Sequence, residues 1–125
     1  MKAYSKTWNS SKQPRKQHKY RYNAPLHTRN KFLSAHLSKE LKTKYNKRNI
    51  TLKKGDSVKI VVGQFKGKSG KVDRIDVKKT KVYITGIDIV KKDGTKTFYP
   101  FNPSNLIITE LNLDDKKRVK SLERK

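Results

Sequence analysis

The chain has 125 residues, 33 of them Lys or Arg and 10 Asp or Glu, for a formal net charge of +23. That is room for one domain with tails, and a charge that calls for a polyanionic partner. Leu, Ile, Val and Phe supply 29 of the 125 residues, which allows a small core and not a large one. There is no cysteine, so a disulfide framework, a thiolate nucleophile and a Cys-based zinc site are excluded. The longest apolar runs, such as Ile60-Val61-Val62, fall far short of the roughly 20 residues of a membrane helix or the ~7–15 of a signal-peptide core. The chain reads as soluble and intracellular.

Charge is unevenly spread: residues 1–54 hold 16 Lys and Arg against a single acid, Glu40. Residues 1–24 contain no Leu, Ile, Val or Phe, and they interleave Lys12, Arg15, Lys16, Lys19 and Arg21 with Trp8, Tyr20 and Tyr22. Without aliphatic side chains the segment is expected to be mobile when free. Cations beside flat rings suit RNA, since charges meet phosphates while rings stack on exposed bases. The plainer alternative is a solvated basic tail.

Residues 25–49 read as helical. Leu33, Leu37, Leu41 and Tyr45 recur every four positions, and two short helices with a break near His36 are expected, Ser38 being placed to cap the second over Lys39–Tyr45. The opposite face carries Arg29, Lys31, Lys39 and Lys42, either a solvated face or, as the net charge favours, a phosphate-facing one. From residue 50 to 109 the period changes to two. Strands are expected through Val58–Val62, through Val72, Ile75 and Val77, and over Val82–Thr85, Ile87–Val90, Lys96–Tyr99 and Leu106–Ile108. Lys92-Asp93-Gly94-Thr95 supplies a tight hairpin turn. Five or six short strands without intervening helix predict a small antiparallel barrel. The expected fold is thus mainly β with helical extensions. Residues 110–125 read as a C-terminal helix capped by Asp114, with Val119 and Leu122 as a thin apolar edge that needs a partner to stay formed.

Within the β region, the stretch Lys54-Gly55-Asp56-Ser57-Val58-Lys59-Ile60 followed by Gly63-Gln64-Phe65-Lys66-Gly67-Lys68-Ser69-Gly70-Lys71-Val72 resembles a KOW motif, a nucleic-acid-linked element of SH3-like barrels. Its glycines permit sharp bends and close backbone approach, leaving Gln64, Phe65, Lys66 and Lys68 at the loop tip. Phe65 either covers the end of the barrel or meets a base or ribose. Pro14-Arg15-Lys16-Gln17-His18-Lys19-Tyr20-Arg21-Tyr22-Asn23-Ala24-Pro25, Leu33-Ser34-Ala35-His36-Leu37-Ser38 and Leu111-Asn112-Leu113-Asp114-Asp115 extend the likeness. Together these segments resemble the large-subunit ribosomal protein twenty-four family in its archaeal and eukaryotic form.

The resemblance implies a structural constituent of the large ribosomal subunit and not an enzyme. It implies binding to the 5′ domain of large-subunit ribosomal RNA, a part in early subunit assembly, and a cytoplasmic place on the subunit near the peptide tunnel exit. Neighbouring large-subunit proteins are the other implied partners, with no membrane, cofactor or small-molecule substrate. The expected RNA contacts are Lys12, Arg15, Lys16, His18, Lys19, Tyr20, Arg21, Tyr22, His27, Arg29 and Lys31 in the extension. In the glycine loop they are Gln64, Phe65, Lys66, Gly67, Lys68 and Lys71.

Other classes fit poorly. His18, His27 and His36 are spaced by nine, which matches no metal-ligand pattern. The carboxylates are dispersed, with Asp56 and Asp93 in turns, so no acid–base pair or nucleophile arrangement stands out. A KOW module of a transcription-elongation factor is the competing reading, but such barrels usually accompany another folded domain, and the 54 preceding residues offer no sizeable core.

Overall fold

The computed structural model describes residues 4–8 and 10–124. Residues 1–3 and 9 of the basic extension and residue 125 of the expected C-terminal helix lie outside the described residues. In chain order the elements are helices α1 (Pro14–Asn23) and α2 (Leu26–Phe32), strand β1 (Ser34–Leu37), helix α3 (Lys39–Tyr45) and strands β2 (Asn49–Thr51), β3 (Ser57–Ile60) and β4 (Ser69–Asp76). Strands β5 (Lys81–Ile84), β6 (Asp88–Val90) and β7 (Lys96–Phe98) follow, then a 3₁₀ turn at Pro103–Asn105, strand β8 (Leu106–Glu110) and helix α4 (Lys116–Glu123).

The fold is rich in sheet. Six strands pair in the order β2-β1-β8-β3-β4-β5, and β6 with β7 forms a separate hairpin. The first half of β4 pairs with β3 and its second half with β5, with a register shift between Val72 and Arg74. A shift of this kind bends a strand. Beyond β5, Val82 and Phe101 exchange both backbone hydrogen bonds, at 2.9 and 2.8 Å. Among the described residues β2 and β5 remain the two edges, so the sheet is open. The pairing of β1 with β8 is parallel, which departs from a wholly antiparallel arrangement.

Alternation explains the core. Ala35 and Leu37 on β1, Val58 and Ile60 on β3, Val82 and Ile84 on β5, and Leu106 and Ile108 on β8 are all buried while their neighbours are not. With Leu33, Leu52, Val72, Ile87 and Phe101 they form one continuous cluster. Burying each aliphatic side chain contributes about 1.5–3 kcal/mol.

The reading of residues 25–49 as helical is corrected in its middle. Helices occur at both ends of the segment, and Ser38 does cap α3, accepting from the Leu41 amide at 3.4 Å. Between them Ser34–Leu37 is a strand inside the sheet. Leu33, Ala35 and Leu37 bury at spacing two, so the apparent four-residue stripe is shared among three elements. Helix α1 is absent from the elements expected above.

Helix α4 is anchored by charge. Asp56, fully buried, accepts from both terminal nitrogens of Arg118, at 2.6 and 2.7 Å, and from the Lys53 and Asn112 amides, at 2.8 and 2.9 Å. Arg118 also donates to the Asn112 and Thr51 carbonyls, at 2.7 and 3.1 Å. Leu122, one turn on, is buried as well. The cap is Asp115 rather than Asp114: its carboxylate accepts from the Lys117 amide at 2.8 Å, while Asp114 donates its own amide to the Asn112 side chain. The exposed Lys53–Asp115 ion pair closes the same corner.

Arg118→Ala leaves the Asp56 carboxylate buried without a counter-charge, and should lower stability by about 3–5 kcal/mol. That is a large fraction of the ~5–15 kcal/mol of a small domain. Urea denaturation monitored by circular dichroism reads it directly. Lys53→Ala, at the exposed pair, should shift the midpoint by a small fraction of that amount.

The hydrogen bonds from Lys53 and from the Lys117 amide hold Asp115 below the ordinary aspartate range. Its contribution is therefore complete above that range and lost as the pH falls through the depressed value. An acid titration of Asp115→Asn against the parent should show the two stabilities converging at the acid end only.

Candidate nucleic-acid interface

The extension is organised by aromatic rings in place of aliphatic side chains. Helix α1 starts with Pro14 at its first position, where the missing amide hydrogen is no loss. It buries no residue. Tyr20 turns inward, with ring centroids 5.2 Å from Tyr4, 5.1 Å from Trp8 and 6.3 Å from Phe32. Its hydroxyl lies 3.0 Å from that of Tyr4, which also meets Thr28 at 3.3 Å. The hydrogen bonds to Thr28 and Tyr20 lower the Tyr4 pKa, while the bond to Tyr4 raises that of Tyr20. Aromatic packing of this kind is worth ~0.5–1.5 kcal/mol per pair, a term absent from a reading based on aliphatic content. Tyr20 is thus engaged in packing, whereas Tyr22 is 78% exposed.

The cations of α1 point outward. Arg15, His18, Lys19 and Tyr22, three or four residues apart, share a face, and all are exposed, as are Lys12, Lys16 and Arg21. The Arg21 guanidinium sits 5.7 Å from the Phe32 ring centre. On α2, His27 and Lys31 are exposed. Arg29 turns back to α1, its Nε donating to the Ala24 carbonyl at 2.9 Å and its Nη2 to the Tyr22 carbonyl. That fork fixes the angle between the two helices and holds the guanidinium in place.

The glycine loop lies elsewhere. Gly67 donates to the Ile60 carbonyl at 2.9 Å, and Ile60 donates to the Lys68 carbonyl at 2.9 Å, so the loop closes directly on the end of β3. Gln64, Lys66, Gly67 and Lys68 are exposed there, and Lys71 follows on β4. Phe65 is half-buried, edge-on to Tyr99 at 5.1 Å and Phe101 at 5.9 Å. It covers one end of the core while Lys68 stands 5.4 Å over its ring. Gln64 and Phe65 line a cleft of about 130 Å³ together with Lys81, Tyr99 and Asn102.

The expected contact residues therefore fall in two places. His18, Arg21, Tyr22 and Arg29 converge on one groove, which also contains Lys78 and Lys79 from the β4–β5 turn, two cations that no sequence motif marks. None of the extension residues lines the Gln64–Phe65 cleft. Among the described residues no three His, Cys, Asp or Glu side chains assemble as metal ligands. His36 is half-buried on β1, away from the exposed His18 and His27.

The loop separates conformational from steric demands on glycine. Gly67 has φ +89° with open space where a side chain would go, whereas a Cβ on Gly70 would stand 2.6 Å from Ile84 and 2.9 Å from the Thr85 carbonyl oxygen. Gly67→Val should lose about 1–2 kcal/mol through backbone strain alone. Gly70→Val forces β4 and β5 apart and should lose more, while Lys66→Ala should leave the melting temperature nearly unchanged. Thermal melts of the three variants check this order.

Comparison with known proteins places the chain in a family. A family profile that groups eukaryotic ribosomal protein L26 with archaeal ribosomal protein twenty-four matches residues 11–125. The large ribosomal subunit protein uL24 of Methanosphaera stadtmanae is 50% identical over 115 residues, covering 92% of this chain and 98% of that protein. The protein of the same name from Methanoculleus marisnigri is 53% identical over 112 residues, or 90% and 93% of the two chains. The chain belongs to the ribosomal protein family that comprises L26 of eukaryotes and its archaeal counterpart, ribosomal protein twenty-four.

Proposed function

We propose that the chain is a structural constituent of the large ribosomal subunit in the cytoplasm, that it binds the 5′ domain of large-subunit ribosomal RNA, and that it supports early subunit assembly near the peptide tunnel exit. Neighbouring large-subunit proteins are its other partners. In this reading the bent sheet is an SH3-like barrel of KOW type. It carries two RNA-facing surfaces, the α1–α2 extension over residues 12–31 and the glycine loop with Lys71. The role is non-enzymatic.

The observation that carries this reading is the distribution of unpaired charge. Ion pairs among the described residues involve only Lys53, Lys54 and Arg118 as cations. The exposed cations of α1, α2 and the loop have no carboxylate partner among the described residues, so they repel one another until phosphates are supplied. The sheet offers a rigid platform, and the cations lower the repulsion between RNA strands brought together on it. Family membership and the names of the two relatives support the same conclusion.

If about 6–10 phosphates are contacted, affinity for a transcript of the 5′ domain should fall by about 10³–10⁵ between 50 and 200 mM salt. Replacing Arg15, Lys16 and Lys19 with Gln should flatten that dependence, since those exposed cations lie outside the core. Filter binding across a salt series measures both. A dependence as steep in the triple variant as in the parent would remove α1 from the interface. In cell extracts the protein should sediment with large subunits at high salt and not with RNA polymerase.

A further inference from the structure

We propose that the groove between α1 and the β4–β5 turn is a two-jawed clamp for the RNA phosphodiester backbone, with Lys78 and Lys79 as its second jaw. The proposal rests on the RNA-binding function above and assigns it a site that joins the extension to the sheet. The groove has a volume of about 650 Å³. His18, Arg21 and Tyr22 of α1 and Arg29 of α2 form one wall, and Lys78, Lys79 and Thr80 form the other.

Three features argue for a polyanion there. First, the lining contains four permanent cations and no acid, and none of the four takes part in an ion pair among the described residues. Asp76, at the root of the turn, is committed to the Lys79 amide at 2.9 Å. Convergence of like charges without a counterion is unfavourable in the protein alone. Second, Thr80 adopts φ +52°, a conformation that is an outlier for a β-branched residue. It closes the turn that carries Lys78 and Lys79, and strain of this kind clusters at functional sites. Third, Tyr22 at the groove is largely exposed, a platform for a base or ribose beside the phosphates. Arg29 is held in place by two backbone carbonyls, so its charge is positioned before RNA arrives.

The test uses the full chain and a fluorescently labelled transcript of the 5′ domain, titrated at several chloride concentrations. Lys78→Ala with Lys79→Ala should weaken binding about tenfold or more. The slope of log K against log salt should fall by roughly 0.7–0.9 for each phosphate no longer neutralised. Both lysines are exposed, and an unchanged melting temperature confirms that folding is intact. Arg21→Gln and Lys79→Gln combined should lose less than the product of the two single losses, because both act on one segment of backbone.

Unchanged affinity and slope in the Lys78/Lys79 variant, with Lys66→Ala/Lys68→Ala still weakening binding, would overturn the clamp while leaving the RNA-binding reading intact. Absence of salt-dependent RNA binding by the parent chain would overturn both. Selective release of the RNA by inorganic phosphate, beyond chloride at equal ionic strength, would indicate a single-anion pocket and also overturn the clamp.

Discussion

A single buried carboxylate ties together the parts of this molecule that are far apart in sequence. Asp56 accepts four hydrogen bonds, from the Lys53 and Asn112 amides and twice from Arg118. It thereby joins the turn before β3, the segment after β8 and the last helix. A buried ion pair of this kind is not in general more stabilising than apolar packing of equal volume, but removing one partner is costly because the other remains desolvated and unpaired. Its contribution is placement. Helix α4 has only Leu122 as a buried apolar side chain, too little to select one orientation, and the bidentate geometry of Arg118 supplies that selection.

The remaining charges are used in the opposite way. The core is apolar and alternating, and nearly every other cation faces out. The extension closes on its own aromatic cluster and is tied back through Arg29. The glycine loop closes on β3 and is plugged by Phe65 against Tyr99 and Phe101. Each of the two surfaces proposed to meet RNA is thus mounted on a small ring-packed base, which fixes the position of its lysines and arginines. Rigid bases with adaptable tips suit a partner whose backbone is regular in charge and irregular in path.

The parts legible in the sequence are those where a local pattern coincides with a tertiary role. Val58 and Ile60, Val82 and Ile84, and Leu106 and Ile108 alternate because one face of the sheet is buried, and period two reports that. Ser38 signals a cap by itself. Strand β1 was hidden because Leu33 and Leu37 fit a helical repeat as well as a strand, and the small Ala35 between them gives little hydrophobic signal. Arg118 was hidden in a run of cations, Lys116 to Lys120, that reads as a solvated face; its partner is 62 positions away. Tyr20 looked like its neighbour Tyr22, and only the approach of Tyr4, Trp8 and Phe32 distinguishes a packed ring from a free one. Lys78 and Lys79 carry no motif, and their place in the groove depends on which helix the turn faces.

The sheet order has a consequence for how the chain acquires its structure. Strand β8 lies between β1 and β3, so the last of the eight strands in chain order sits at the middle of the sheet. Before it arrives, β1–β2 on one side and β3–β4–β5 on the other are linked in the chain but share no strand pairing. The Asp56 carboxylate has no counter-charge until Arg118, eight residues later than the end of β8, has also emerged. Completion is therefore deferred until β8 and Arg118 have been made, when contacts of long sequence separation close at once. Until then the edges of β1 and β3 that β8 will pair with stay open. For a chain so strongly cationic, the RNA proposed as its partner would also favour folding, since phosphates beside the extension lower the repulsion that opposes closure.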